Sequence, residues 1–203
     1  PTEAAGRSHE GWRPVGLGVM GLQDVLFALR LPFDSPEALA LGTRVAEEIY
    51  LAALDASCSL AEAHGPHPRF DETHASQGRL HPDLWGHATT DPRWEDLRRR
   101  IAFHGLRNSL LVAIAPTATI ASIAGCYECI EPAVSNLFKR ETLSGEFLQV
   151  NTWLVRDLQA LGLWSPETCA GQVYSADLDD TTPSTLAAYI GPYEPFGDAR
   201  DCR

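Results

Sequence analysis

Two hydroxyl side chains, Thr117 and Thr119, stand in the turn Pro116-Thr-Ala-Thr-Ile120. Before it lies an apolar run, Leu110 to Ala115, and after it Ile120 to Ile123 can start a helix. In a strand–turn–helix joint of this kind the first helical N–H groups have no internal partner, and the helix dipole favours negative charge beside them. Thr117 and Thr119 can donate hydroxyl hydrogen bonds, whereas Ala118 and Ile120 can offer only their N–H groups. The chemistry on offer is anion binding. An ordinary joint with a threonine N-cap uses the same residues, and local grammar by itself favours that plainer account.

Other residues invite chemistry less well. Cys126-Tyr-Glu-Cys129 has the spacing of half a zinc site or of a redox pair. No second pair stands at ligand spacing, since Cys169 and Cys202 are isolated, so two buried or partly buried thiols are expected. His64, His67, His74, His81 and His87 fall at irregular intervals in a Pro/Gly-rich stretch and read as surface histidines, with no metal site. Gly16-x-Gly18-x-x-Gly21 matches a dinucleotide fingerprint on paper. It lacks a clear preceding strand and an acidic residue about 20 positions on, so close strand–helix packing is the better account. Glu47-Glu48 and Asp179-Asp180 read as solvated charges, and Arg107-Asn108 as a structural shoulder bonded to nearby backbone or a carboxylate.

The elements that must position these residues follow from periodicity. Leu110 to Ala115 scarcely alternates, which predicts a strand buried on both faces of a parallel sheet, ended by Pro116. Val15 to Val19 predicts a second short buried strand. Leu22 to Leu31 carries Leu22, Val25, Leu26 and Leu29 on one helical face and is closed by Pro32. Ser35, ahead of Pro36 and Glu37, predicts the N-cap of a long helix reaching about His64, with Leu39, Ala46, Ile49, Leu54 and Leu60 inward and Gly65-Pro66 as its stop. From His67 to Asp91 an irregular surface connection is expected. Asp91-Pro92 then caps a helix through Trp94, Leu97 and Ile101 to His104. Irregular chain is expected from Gly125 to about Arg140. Beyond it Ser144 caps a helix carrying Phe147, Val150, Leu154, Leu158 and Leu161, with Glu146 near its N-terminal dipole and Gly162 at its end. Strands alternating with helices imply βαβ units, an α/β fold.

The whole chain of 203 residues is 44% hydrophobic, enough for one sizeable core. Its net charge of −11 argues against direct nucleic-acid binding. No apolar run approaches the roughly 20 residues of a membrane span, which makes a cytoplasmic location the expectation. The five cysteines are an odd number, not spaced as a secreted disulfide framework, and fit reduced thiols.

Read together, RPVGLGVMGLQDVLFALRLPFDS (Arg13 to Ser35), HGLRNSLL (His104 to Leu111), APTATIASIAG (Ala115 to Gly125), IEP (Ile130 to Pro132), SNLFKRETLSGEF (Ser135 to Phe147) and LGLW (Leu161 to Trp164) resemble, in this order, the large catalytic subunit family of ribonucleotide reductase. The likeness falls in the C-terminal barrel portion and covers about Trp12 to Trp164. It implies a partial α/β barrel, made of later strands and helices of a ten-stranded barrel. Residues 1–11 would be a linker remnant and 165–203 a divergent or truncated tail, the chain being a fragment of a longer protein. Half a barrel would leave two strand edges unpaired, an aggregation liability.

The resemblance also implies a role for the turn. Thr117, Ala118, Thr119 and Ile120 would hold the phosphates of a ribonucleotide with amides and hydroxyls. The reaction implied replaces the ribose 2′-hydroxyl by hydrogen, using a cysteine thiyl, a carboxylate base and a cysteine pair. The family's Asn-x-Cys-x-Glu loop is not found in these residues, nor are adjacent tyrosines for radical transfer, so no catalytic residue is assigned and the chain alone is expected to be inactive. Implied partners are a ribonucleoside diphosphate, a radical-generating small subunit with its metal, thioredoxin or glutaredoxin, nucleotide effectors and a second large subunit. This chain itself would bind no cofactor and no metal. CYECIEP followed by SNLFKRETLSGEF looks more like the aerobic class than the adenosylcobalamin-dependent one. That second class, and a non-catalytic phosphate-ligand-binding module, are the alternatives.

Overall fold

The computed structural model describes residues 2–142 and 145–162. The expected tail at 165–203, with Cys169, Cys202, Asp179 and Asp180, lies outside the described residues, as does Ser144. The chain divides into two compact units, Pro1–Gly18 with Thr43–Ile114 and Val19–Gly42 with Ala115–Arg203.

In the first unit, α3 (Pro36–His64, whose first turns belong to the other unit) and α5 (Arg93–His104) supply the core. The Ser35 hydroxyl accepts the Ala38 N–H at 3.2 Å, as a cap should. Leu51, Leu54 and Cys58 on α3 meet Trp94, Leu97 and Ile101 on α5, with Leu80 and Leu106 completing the cluster. Both triplets are spaced i, i+3, i+7, one helical stripe each. Burying a leucine this fully contributes about 1.5–3 kcal/mol. The inward face of α3 differs from expectation, since Leu39 is 63% and Leu60 46% exposed. An apolar residue lay on more than one side of this helix, and the partners on α5 chose the side.

Glu47 and Glu48 are not merely solvated. The Trp94 indole donates to Glu47 Oε1 at 2.7 Å, and Arg93 Nη1 donates to Glu48 Oε2 at 2.9 Å. Between the helices, the expected irregular connection holds two single 3₁₀ turns, Phe70–Glu72 and Ala75–Gln77, and a short helix α4 (His81–Leu84). Leu80 and Pro82 are buried there. The N-terminal stretch, read as a linker remnant, forms helix α1 (Glu3–Trp12). Thr2 caps it and Glu3 pairs with Arg7, but none of its residues is buried, so no apolar periodicity announced it.

The buried parallel strands are not formed. Val15 N donates to Leu110 O at 3.0 Å and Leu17 N to Leu111 O at 2.9 Å, giving one isolated parallel bridge, Leu17 to Val112. Val15, Leu17, Leu110 and Ile114 are exposed, Ile114 at 75%. A parallel pair needs cover on both faces; Leu111 packs against the core of the first unit, but Val15, Leu17, Leu110 and Ile114 stay exposed. Among the described residues there is no barrel; the architecture is mostly helical.

The second unit packs α2 (Leu22–Leu29) against α7 (Thr152–Ala160). Phe27, Leu154 and Leu158 form its buried cluster, with Tyr127, Ala133 and Trp153 against it. On α2 the buried residues are Gln23, Leu26 and Phe27, while Val25 and Leu29 face solvent; Arg30, in a left-handed conformation, ends the helix before Pro32. The stretch read as irregular chain leading to a helix capped by Ser144 is corrected. Leu137–Thr142 (β1) and Gly145–Val150 (β2) form an antiparallel hairpin, placing Glu146 opposite Glu141 in a strand. Helix α7 starts later, where Asn151 accepts the N–H groups of Trp153 and Leu154. The six residues of β2 carry no clear two-residue period, and the stronger helical signal of Leu154 and Leu158 lies next to them.

Candidate phosphate turn

Thr117, Ala118, Thr119 and Ile120 are consecutive, so the site is one bend of backbone where helix α6 (Ala118–Ala124) begins. Thr117 occupies the N-cap position, yet its side chain caps nothing. It has φ 49° and ψ 17°, the left-handed region. For an L-residue that costs roughly 1–2 kcal/mol, and a β-branched side chain is especially uncommon there. The Thr117 oxygen instead accepts the N–H of Cys129 at 2.8 Å. Ala118, Thr119 and Ile120 are exposed, and their N–H groups have no hydrogen-bond partner among the described residues. The first N–H bonded into the helix is that of Ala121, to Thr117 O at 2.8 Å. Three exposed amides and two hydroxyls therefore start this helix.

The loop behind the turn is firmly held. Tyr127 N donates to Asp24 Oδ2 at 2.6 Å, and Gly21 N donates to Tyr127 O at 2.9 Å. Gly21 has φ 83°, and a Cβ there would touch the Cys126 Cβ at 3.4 Å. Gly16 likewise has room for little else, with the Ala113 Cβ 3.1 Å from the place its own Cβ would take. These glycines serve close packing. Burial, with the Asp24 charge as a second cause, pushes the Tyr127 phenol up to about 12. Cys126 is half-buried and Cys129 buried, both as free thiols. A cavity of about 460 Å³ in the same unit is lined by Asp24, Cys126, Tyr127, Glu131 and Phe138, among others, but by none of the four turn residues.

The remaining candidates separate cleanly. Arg107 Nη1 donates to His64 O and Gly65 O at 3.1 and 3.0 Å, and Asn108 exchanges hydrogen bonds with Ser57 and reaches Arg13 O. That shoulder is structural. His64, His74 and His87 are exposed, but His67 is 1% exposed, which overturns the surface reading for it. It fills the space between Trp12 and Phe70, and burial depresses its pKa. Among the described residues no three His, Cys, Asp or Glu side chains stand together as metal ligands. Sequence reasoning missed Asp24 and the Thr117–Cys129 bond, because both link positions whose proximity no local pattern encodes.

The family model described as "Ribonucleotide reductase, barrel domain" matches residues 1–193. The chain belongs to the ribonucleotide reductase barrel-domain family. It is 49% identical over 168 residues to the ribonucleoside-diphosphate reductase large chain of Schizosaccharomyces pombe, covering 82% of this chain and 21% of that one. The large subunit of Caenorhabditis elegans is 48% identical, with the same two shares, 82% and 21%. Large chain 2 of Saccharomyces cerevisiae is 47% identical, with 81% and 19% covered. The chain thus spans about a fifth of the length of these reductase relatives. No described helix is long and apolar enough to cross a membrane.

Proposed function

We propose that this chain supplies part of the catalytic α/β barrel of a ribonucleoside-diphosphate reductase large subunit, and that Thr117, Ala118, Thr119 and Ile120 hold the substrate's phosphates. The observation that carries the reading is the family match over residues 1–193, together with relatives named as reductase large chains at 47–49% identity. The three amides at the start of α6 that have no partner among the described residues support the phosphate role, since each can donate to an anionic oxygen and Thr117 and Thr119 add hydroxyl donors. The reaction served is replacement of the ribose 2′-hydroxyl by hydrogen through thiyl-radical chemistry. A radical-generating small subunit, thioredoxin or glutaredoxin, nucleotide effectors and a second large subunit are the partners of the complete, cytoplasmic enzyme. The radical source is that small subunit rather than adenosylcobalamin.

This chain's own share is to bind and orient. Its residues contain no Asn-x-Cys-x-Glu word to carry a thiyl and a base. With a small subunit, reductant and a ribonucleoside diphosphate, the isolated chain should form no deoxynucleotide. In a titration with the diphosphate followed by nuclear magnetic resonance, the amide signals of Ala118, Thr119 and Ile120 should shift. Turnover would refute the division of labour, and unmoved amides would refute the phosphate site.

A further inference from the structure

A hydrogen bond between two strained residues joins the turn to the loop after α6. Cys129 has φ 47° and Thr117 φ 49°, so both are L-residues in the left-handed region. The 2.8 Å bond from Cys129 N to Thr117 Oγ1 connects them. Strained backbone persists only where the surroundings over-determine it. At Cys129 they do: its side chain is 2% exposed, and its loop is tied down by Tyr127 N to Asp24, by Gly21 N to Tyr127 O and by Cys126 N to Ala121 O at 3.1 Å. Thr117 is half-exposed and has no comparable packing. Its carbonyl takes the Ala121 N–H, and its side chain is tied to the loop by the bond to Cys129.

We propose that Cys129 and Thr117 form a latch that positions the turn, the anchored N–H of Cys129 holding the Thr117 oxygen so that the backbone stays bent and the amides of Ala118, Thr119 and Ile120 stay unpaired. Both are positioning residues in this respect, Cys129 acting through its backbone alone. The latch also fixes the sense of the Thr117 hydroxyl. Because its oxygen accepts from Cys129, its proton is directed to an acceptor elsewhere, and a group that only accepts, such as a diphosphate oxygen, is the ligand it suits. Cys129 N–H, Thr117 O–H and that oxygen would then make a chain whose bonds strengthen one another. The effect on diphosphate affinity rests on the phosphate reading of the turn; the latch itself does not.

The test uses the full 203-residue chain, ¹⁵N-labelled, with amide exchange and a titration by inorganic pyrophosphate. Thr117→Val removes the acceptor while keeping the shape, and the Cys129 amide should exchange at least about tenfold faster, whereas Thr117→Ser should restore protection. Thr117→Gly adopts the left-handed conformation without strain, so it tests the bond alone should the valine variant fail to fold; Cys129 should still lose protection. In the wild-type chain pyrophosphate should shift the Cys129 amide proton, and Thr117→Val should weaken binding about five- to tenfold with rescue by serine. A Cys129 amide equally protected in the wild-type, valine and glycine forms would overturn the latch. If pyrophosphate fails to bind the wild-type chain while the exchange pattern holds, the phosphate reading falls and the latch stands.

Discussion

Trp153 donates its indole N–H to Asp24 Oδ1 at 2.9 Å across 129 positions of sequence. The other oxygen of the same carboxylate takes the Tyr127 N–H. One side chain on α2 thus ties both the start of α7 and the loop behind the Thr117–Ile120 turn. Hydrogen bonds to a charged acceptor are the stronger kind, and truncation leaves two partly buried donors unpaired. Asp24→Ala should destabilise the chain by about 2–4 kcal/mol, and Asp24→Asn by less because one oxygen remains to accept. Urea unfolding followed by tryptophan fluorescence measures both; equal stability of the wild-type and alanine forms would show that Asp24 is not this junction.

The inward face of α3 gives a sharper contrast. Leu54 is 1% exposed within the core cluster, while Leu60, on the same helix, is 46% exposed. Leu54→Ala should cost about 2–5 kcal/mol from lost transfer energy plus the cavity left behind. Leu60→Ala should stay within about 1 kcal/mol of the parent. Thermal and urea midpoints of the two variants decide it, and a reversed order would place the helix with its other face inward.

Sequence legibility followed the range of the interactions. Both ends of helix α3 were readable because Ser35-Pro36 and Gly65-Pro66 are local signals. Trp94, Leu97 and Ile101 were readable because one stripe of one helix needs no knowledge of its partner. What failed was non-local. A run such as Leu110 to Ala115 marks a strand that needs cover, but the cover itself must come from elsewhere in the chain or beyond it. The hairpin failed because six-residue strands carry only three positions per face, and Leu154 and Leu158 extended a false helix backward over them. At the candidate site a helix after the turn was legible, although it begins at Ala118 rather than at Ile120. The left-handed Thr117 was not, since nothing short of the folded loop reveals that Cys129 is its partner.

His67 sets an acid limit on the first unit. It is buried between Trp12 and Phe70, its Nδ1 lies 3.4 Å from Gly11 O, and its Nε2 has no partner among the described residues. Burial holds its pKa below the ordinary 6.5, with the Gly11 carbonyl as a weaker opposing influence. The nearby Arg69 stacks on Trp12, and its partner carboxylate Glu72 is engaged in that ion pair. Between the unfolded and folded pKa values the unfolded chain binds more protons than the folded one. Stability therefore rises with pH in that window. The contribution of neutral His67 is complete above pH 6.5 and is lost as pH falls below that value toward and through the folded pKa. His67→Phe keeps an aromatic ring between Trp12 and Phe70 but cannot titrate, so its unfolding free energy should lose this part of the slope below pH 6.5. Urea titrations of both forms at half-unit steps measure the difference, and parallel curves would show that His67 carries no proton-linked stability.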